Sequence, residues 1–78
     1  MNRSIKVYST PTCPYCMMAK KFLKDNNIEF EDIDVSSNRQ AAMDMVQKTG
    51  QMGVPVIEID GQFIIGFDKE RIKELLEL

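Results

Sequence analysis

Hydrophobic and polar positions change their period several times along this chain, and the changes mark its elements. Ile5-Lys6-Val7-Tyr8-Ser9 alternates like a half-buried strand. Thr10-Pro11-Thr12 breaks the alternation and a helical period follows. That period predicts Tyr15, Met18, Ala19 and Phe22 on one face, with Lys20, Lys21 and Lys24 pointing elsewhere. Asp25-Asn26-Asn27 ends the helix. Phe30 to Val35 reads as a second strand, but Phe30 is out of phase with Ile33 and Val35. Either a bulge or a strand covered on both sides is expected there.

A second helix is predicted from about Asn38 to Thr49, with Ala42, Met45, Val46 and Thr49 on its apolar stripe. Gly50 stands where a left-handed C-terminal cap belongs. Val56-Ile57-Glu58-Ile59 and Gln62-Phe63-Ile64-Ile65 are then joined by Asp60-Gly61, a strong hairpin signal. Asp68 reads as the N-cap of a third helix that buries Ile72, Leu75 and Leu76. The order is βαβαββα. The first two strands are parallel, because a βαβ connection crosses over, and the hairpin adds antiparallel pairing. An α/β fold follows, a four-stranded mixed sheet flanked by three helices.

The 78 residues suit one domain spanning residues 1–78, with 44% hydrophobic and 28% charged positions. A formal net charge of −2, with basic residues scattered among acids, lacks the footprint that neutralises phosphates, so nucleic acid is not an expected partner. Met1-Asn2-Arg3-Ser4 leads into the first strand with no apolar leader, and no apolar run approaches a membrane span. The expected compartment is the cytosol, where structural disulfides are rare. Met43, Met45 and Met52 are assigned to core packing, with contact to a partner as the other reading.

The two cysteines gain their meaning from that compartment. Cys13-Pro14-Tyr15-Cys16 lies at the join of the first strand and first helix. Pro14 suits the first helical turn, which sets Cys13 at or next to the N-cap, where main-chain N–H groups and the helix dipole favour a thiolate. Cys16, three residues on and deeper, lies where a helical pair can close a disulfide. Cys13 is therefore the expected nucleophile towards a substrate disulfide, and Cys16 the thiol that resolves the mixed disulfide. Three other readings compete. A structural staple is disfavoured by compartment, and so short a loop removes little entropy from the unfolded chain. A zinc site normally needs four ligands, and two cysteines with no histidine complete one only in a dimer. An inert buried pair conflicts with the strand-to-helix position.

With Thr10-Pro11-Thr12-Cys13-Pro14-Tyr15-Cys16, Gly53-Val54-Pro55 and Ile65-Gly66-Phe67-Asp68 in view, the chain resembles a glutaredoxin over nearly its whole length. The resemblance implies a thioredoxin-like fold and a redox-active Cys13–Cys16 disulfide. It implies no bound cofactor or metal, glutathione as co-substrate and reductant, and disulfide or glutathionylated proteins as substrates of a monomer. It also implies a cis Pro55 facing the cysteines, with the Val54 main chain free to pair with an extended substrate. Gly66, Phe67 and Asp68 would meet the γ-glutamyl end of glutathione, Gly66 by allowing close approach and the last helix by its N–H groups. Asp68 can at the same time cap that helix. Thr12 and Pro14 belong to the same contact set. Tyr15 packs either over a bound thiol or onto the helix's apolar face.

The chain differs from the common family pattern where a basic residue often stands three positions before the first cysteine, here Thr10. It differs again at Met52 and Gly53, before Val54, and in having Ile65-Gly66 instead of paired glycines. Fewer charged groups then meet the glutathione carboxylates, unless Lys6, Arg39 or Lys69 compensates. A second reading is a redoxin recharged by thioredoxin reductase and serving ribonucleotide reductase or a peroxidase. The segment Gly66-Phe67-Asp68-Lys69-Glu70-Arg71-Ile72 resembles such redoxins. A third is an iron–sulfur scaffold shared by two chains through Cys13 and glutathione, which the stiffness of Pro14 opposes.

Overall fold

Ile5, Val7 and Tyr8 leave β1 with almost no polar face, and the chain buries it between two neighbouring strands. The computed structural model describes residues 4–77. The N-terminal Met1-Asn2-Arg3, expected to carry no apolar leader, and Leu78 lie outside the described residues. The elements are β1 (Ile5–Ser9), α1 (Pro14–Asp25), β2 (Glu31–Asp34), α2 (Arg39–Thr49), β3 (Val56–Ile59), β4 (Gln62–Ile65) and α3 (Lys69–Leu76). The strands form one mixed sheet in the order β2-β1-β3-β4. β1 pairs parallel to β2 and antiparallel to β3, and β3 pairs antiparallel to β4. This is the architecture the hydrophobic pattern predicts.

Register sorts the side chains into two cores. Ile5 and Val7 of β1 stand opposite Ile59 and Ile57 of β3, and all four pack with Ala19 and Leu23 of α1 and Ile72 and Leu76 of α3. On the other face Tyr8 and Val56 pack against Ala41 and Met45 of α2. A two-residue strand period puts neighbouring residues on opposite faces, so both faces of β1 need a helix. The hairpin turn holds Asp60 at φ 48° and Gly61 at φ 88°. Two successive positive φ values match the right-handed strand twist, and the second falls on a residue without a Cβ.

Three details of the pattern differ in the fold. β2 is shorter than Phe30–Val35 and has no bulge, since Lys6 to Ser9 pair without interruption with Glu31 to Asp34. Phe30 packs on the α1–α3 core while Ile33 and Val35 pack on the α2 core, so the strand is covered on both sides. The buried face of α1 is Cys16, Ala19 and Leu23, whereas Tyr15 is 63% and Met18 50% exposed. Likewise α2, capped by Asn38, buries Ala41 and Met45, and Ala42, Val46 and Thr49 lie on the half-buried shoulder. In both helices the predicted stripe is rotated from the buried one, which includes Cys16 and Ala41. Met45 is core, but Met43 and Met52 are exposed.

Candidate active site

The polypeptide leaves β1 at Ser9, turns, and enters α1 at Pro14, whose missing N–H costs the helix nothing at its first position. The Cys13 N–H donates to the Thr10 carbonyl at 3.3 Å, closing the turn. Cys13 is the N-cap, extended at φ −95° and ψ 110°, and its Sγ accepts the Cys16 N–H at 3.1 Å. That donor is one of the N–H groups that a helix start leaves without a main-chain partner. Cys13 and Cys16 are joined in a disulfide, with Cα atoms 5.2 Å apart. Cys16 is fully buried and Cys13 is half-buried. The two sulfurs therefore differ in access: an incoming disulfide reaches Cys13 first.

A second segment, distant in sequence, completes the site. The Val54–Pro55 peptide bond is cis, and the Val54 carbonyl oxygen lies 3.9 Å from Cys13 Sγ. Pro55 is buried, and its carbonyl accepts the Gly66 N–H at 2.8 Å, which ties the end of β4 to the start of β3. Gly66 has φ 82°, a left-handed conformation that a Cβ opposes, with open space where that Cβ would stand. Asp68 caps α3 by accepting the Arg71 N–H at 3.1 Å. The remaining first-turn N–H groups of α3 lie beyond that cap.

The other residues singled out by sequence occupy distinct places. Thr12, Pro14 and Tyr15 are exposed around Cys13. Tyr15 is thus on the open surface and not on the buried face of α1. Phe67 is half-buried, packed on the α1–α3 core with its ring edge-on to Phe22 at 6.0 Å. Lys69, one of the candidates to meet a carboxylate, holds its Nζ 5.6 Å above the Phe22 ring. Among the described residues no cluster of three or more His, Cys, Asp or Glu could hold a metal, and no helix is long and apolar enough to cross a membrane.

One group was not visible in the sequence pattern. Lys20, expected to point away, donates to Asp32 Oδ2 at 3.0 Å and to Ser9 Oγ at 3.4 Å. Ser9 Oγ in turn donates to Asp32 Oδ1 at 2.9 Å. Lys20 falls four residues after Cys16 and so shares its helix face, the one signal that sequence offered.

Comparison with known proteins bears on this geometry. A sequence model of the Glutaredoxin family matches residues 5–64. A Clostridium pasteurianum protein, described as an uncharacterized glutaredoxin-like 8.6 kDa protein in a rubredoxin operon, is 48% identical over 73 residues. The match covers 94% of this chain and 97% of that one. The crystal structure of a variant of a thioredoxin-like protein aligns with a TM-score of 0.90 and 35% identity over 95% of both chains. A buckwheat glutaredoxin–glutathione complex aligns with a TM-score of 0.80 and 27% identity, over 96% of this chain and 74% of that one.

Proposed function

This chain belongs to the glutaredoxin family of thiol–disulfide oxidoreductases, and on that premise we propose that it is a glutathione-dependent reductase of protein disulfides and glutathionylated mixed disulfides. The observation that carries the reading is the unequal access of the two sulfurs at the head of α1. The Cys13 thiolate attacks one sulfur of a substrate disulfide, the substrate's bond breaks, and one thiolate leaves and takes a proton from water. The Cys16 thiolate then attacks Cys13 Sγ, forming the Cys13–Cys16 bond and expelling the second substrate sulfur. One glutathione thiolate reopens the pair at Cys13. A second removes the first as glutathione disulfide, and the reduced protein is regenerated.

Two features support glutathione and extended peptides as the molecules handled. The Val54 main chain beside Cys13 offers its polar groups to an extended backbone. Gly66 leaves open space where a side chain would stand, the first turn of α3 offers N–H groups to a carboxylate, and the buckwheat protein of the same fold was crystallised with glutathione. Thr12, Pro14, Tyr15 and Phe67 border the same opening. Work of this kind belongs in a reducing compartment, the cytosol, and one chain carries every group it needs.

A second reading is favoured by the engagement of the basic side chains. Lys20 pairs with Asp32, Lys21 with Asp25 and Arg71 with Glu74, while Lys48 and Lys69 lie over the rings of Phe63 and Phe22. Thr10, Met52 and Gly53 add no charge near Cys13. On this reading thioredoxin reductase, not glutathione, recharges the disulfide. One assay separates the two: NADPH loss is followed with glutathione plus glutathione reductase, or with thioredoxin reductase alone. Turnover only in the first mixture supports the proposal, and turnover only in the second replaces it.

A further inference from the structure

Closing on Cys13 requires Cys16 to become a thiolate, yet Cys16 is wholly shielded from water. Burial in apolar surroundings opposes that ionisation, so an internal source of positive charge is needed. The helix start serves Cys13, whose Sγ already accepts the Cys16 N–H.

Lys20 lies one helical turn beyond Cys16. Helical side chains lean towards the N-terminus and cover the preceding turn, so the Lys20 stem runs back towards Cys16. Its Nζ donates to Ser9 Oγ at 3.4 Å, and Ser9 is itself 2% exposed. The pair with Asp32 is asymmetric: the Lys20 side chain is 21% exposed and the Asp32 side chain 50%. The carboxylate is therefore the partner more open to water, and the lysine side chain the one more enclosed by protein. The other titratable group that β2 presents on this face is Asp34, whose carboxylate accepts the N–H and hydroxyl of Ser36. β3 and β4 present Ile57, Ile59 and Ile64 there, and from α3 the Lys69 ammonium lies over Phe22.

We infer that Lys20, tethered by Ser9 and Asp32, supplies the fixed positive charge against which buried Cys16 ionises as it closes on Cys13. The inference rests on the reading of Cys16 as the resolving thiol. Ser9 and Asp32 are positioning residues in this arrangement.

A symmetric nitrobenzoate disulfide, whose released thiolate is coloured, separates the two steps in the reduced full chain. Cys13 releases one coloured thiolate at a rate set by reagent concentration. Cys16 releases the second as the Cys13–Cys16 bond forms, at a rate independent of it. Lys20→Met leaves Asp32 in contact with water and is expected to keep the fold. It should slow the second release about ten-fold at neutral pH and move its pH midpoint up by about one pH unit, while the first stays within about two-fold. Lys20→Gln, which keeps a hydrogen-bond donor without charge, should match Lys20→Met, and Lys20→Arg should restore the second release. An unchanged second release in Lys20→Met and Lys20→Gln overturns the inference, as does equal slowing of both releases. A native chain that releases one coloured thiolate only would instead remove the assignment of Cys16 on which it rests.

Discussion

The main-chain N–H of Cys16 points at Cys13 Sγ across 3.1 Å, so the buried residue of the pair supports the sulfur of the accessible one. The pair is therefore joined twice, once by the Cys16 N–H and once by the sulfur bond. Loss of either side chain should be felt differently.

Cys13→Ser should abolish turnover with every substrate, because the attacking sulfur is gone. Cys16→Ser keeps the N–H and should retain removal of glutathione from mixed disulfides while losing reduction of protein disulfides. Steady-state rates with a glutathionylated peptide and with a disulfide protein check this. If Cys16→Ser is as inactive as Cys13→Ser towards the glutathionylated peptide, the division of roles is wrong.

The rotation of α1 can be tested by stability. Leu23 is fully buried, so Leu23→Ala should cost about 3 kcal/mol and lower Tm by more than about 10 °C. Met18 is half exposed, and Met18→Ala should change stability by less than about 0.5 kcal/mol. Thermal unfolding of the two variants distinguishes this face from the one the hydrophobic period suggests.

Gly66→Ala meets no steric neighbour but must hold a Cβ at φ 82°. The expected cost is about 1 kcal/mol. Because the Gly66 N–H binds the Pro55 carbonyl, the strain should also disturb the opening beside Cys13. KM for a glutathionylated peptide should rise more than kcat falls. Equal KM values for the variant and the native chain would remove Gly66 from the binding surface.

Tyr8 gives a pH test of the sheet's other face. Burial pushes its hydroxyl above the usual value of 10.0, and the neighbouring Glu58, which accepts its hydrogen bond at 3.3 Å, adds to this. The folded pKa is raised, so the unfolded chain releases this proton first. The stabilising contribution is whole below 10.0 and is lost as pH rises from there through the folded value. Tyr8→Phe should cost about 0.5 to 1 kcal/mol at neutral pH and lack that alkaline decline. Chemical denaturation of both proteins across alkaline pH measures the difference, in which the remaining groups cancel. A constant difference at all pH values contradicts the assignment.

Much of this protein was decided by local chemistry that a sequence displays. Pro14 after Cys13 and the spacing to Cys16 mark the head of a helix. Asp60-Gly61 specifies a tight hairpin, and Asp68 followed by an apolar period specifies a capped helix. These depend on residues a few positions apart, where propensity and period act directly. What period leaves undetermined is the rotation of a helix about its axis, since a half-apolar cylinder can turn by one residue at little cost until a sheet meets it. Contact with β1 chose Cys16, Ala19 and Leu23 over Tyr15 and Met18. Tertiary structure alone also brought Val54 to Cys13 and joined Lys20 to Ser9 and Asp32. Those partners come from separate elements, and only the packing of α1 on the sheet sets the distances between them.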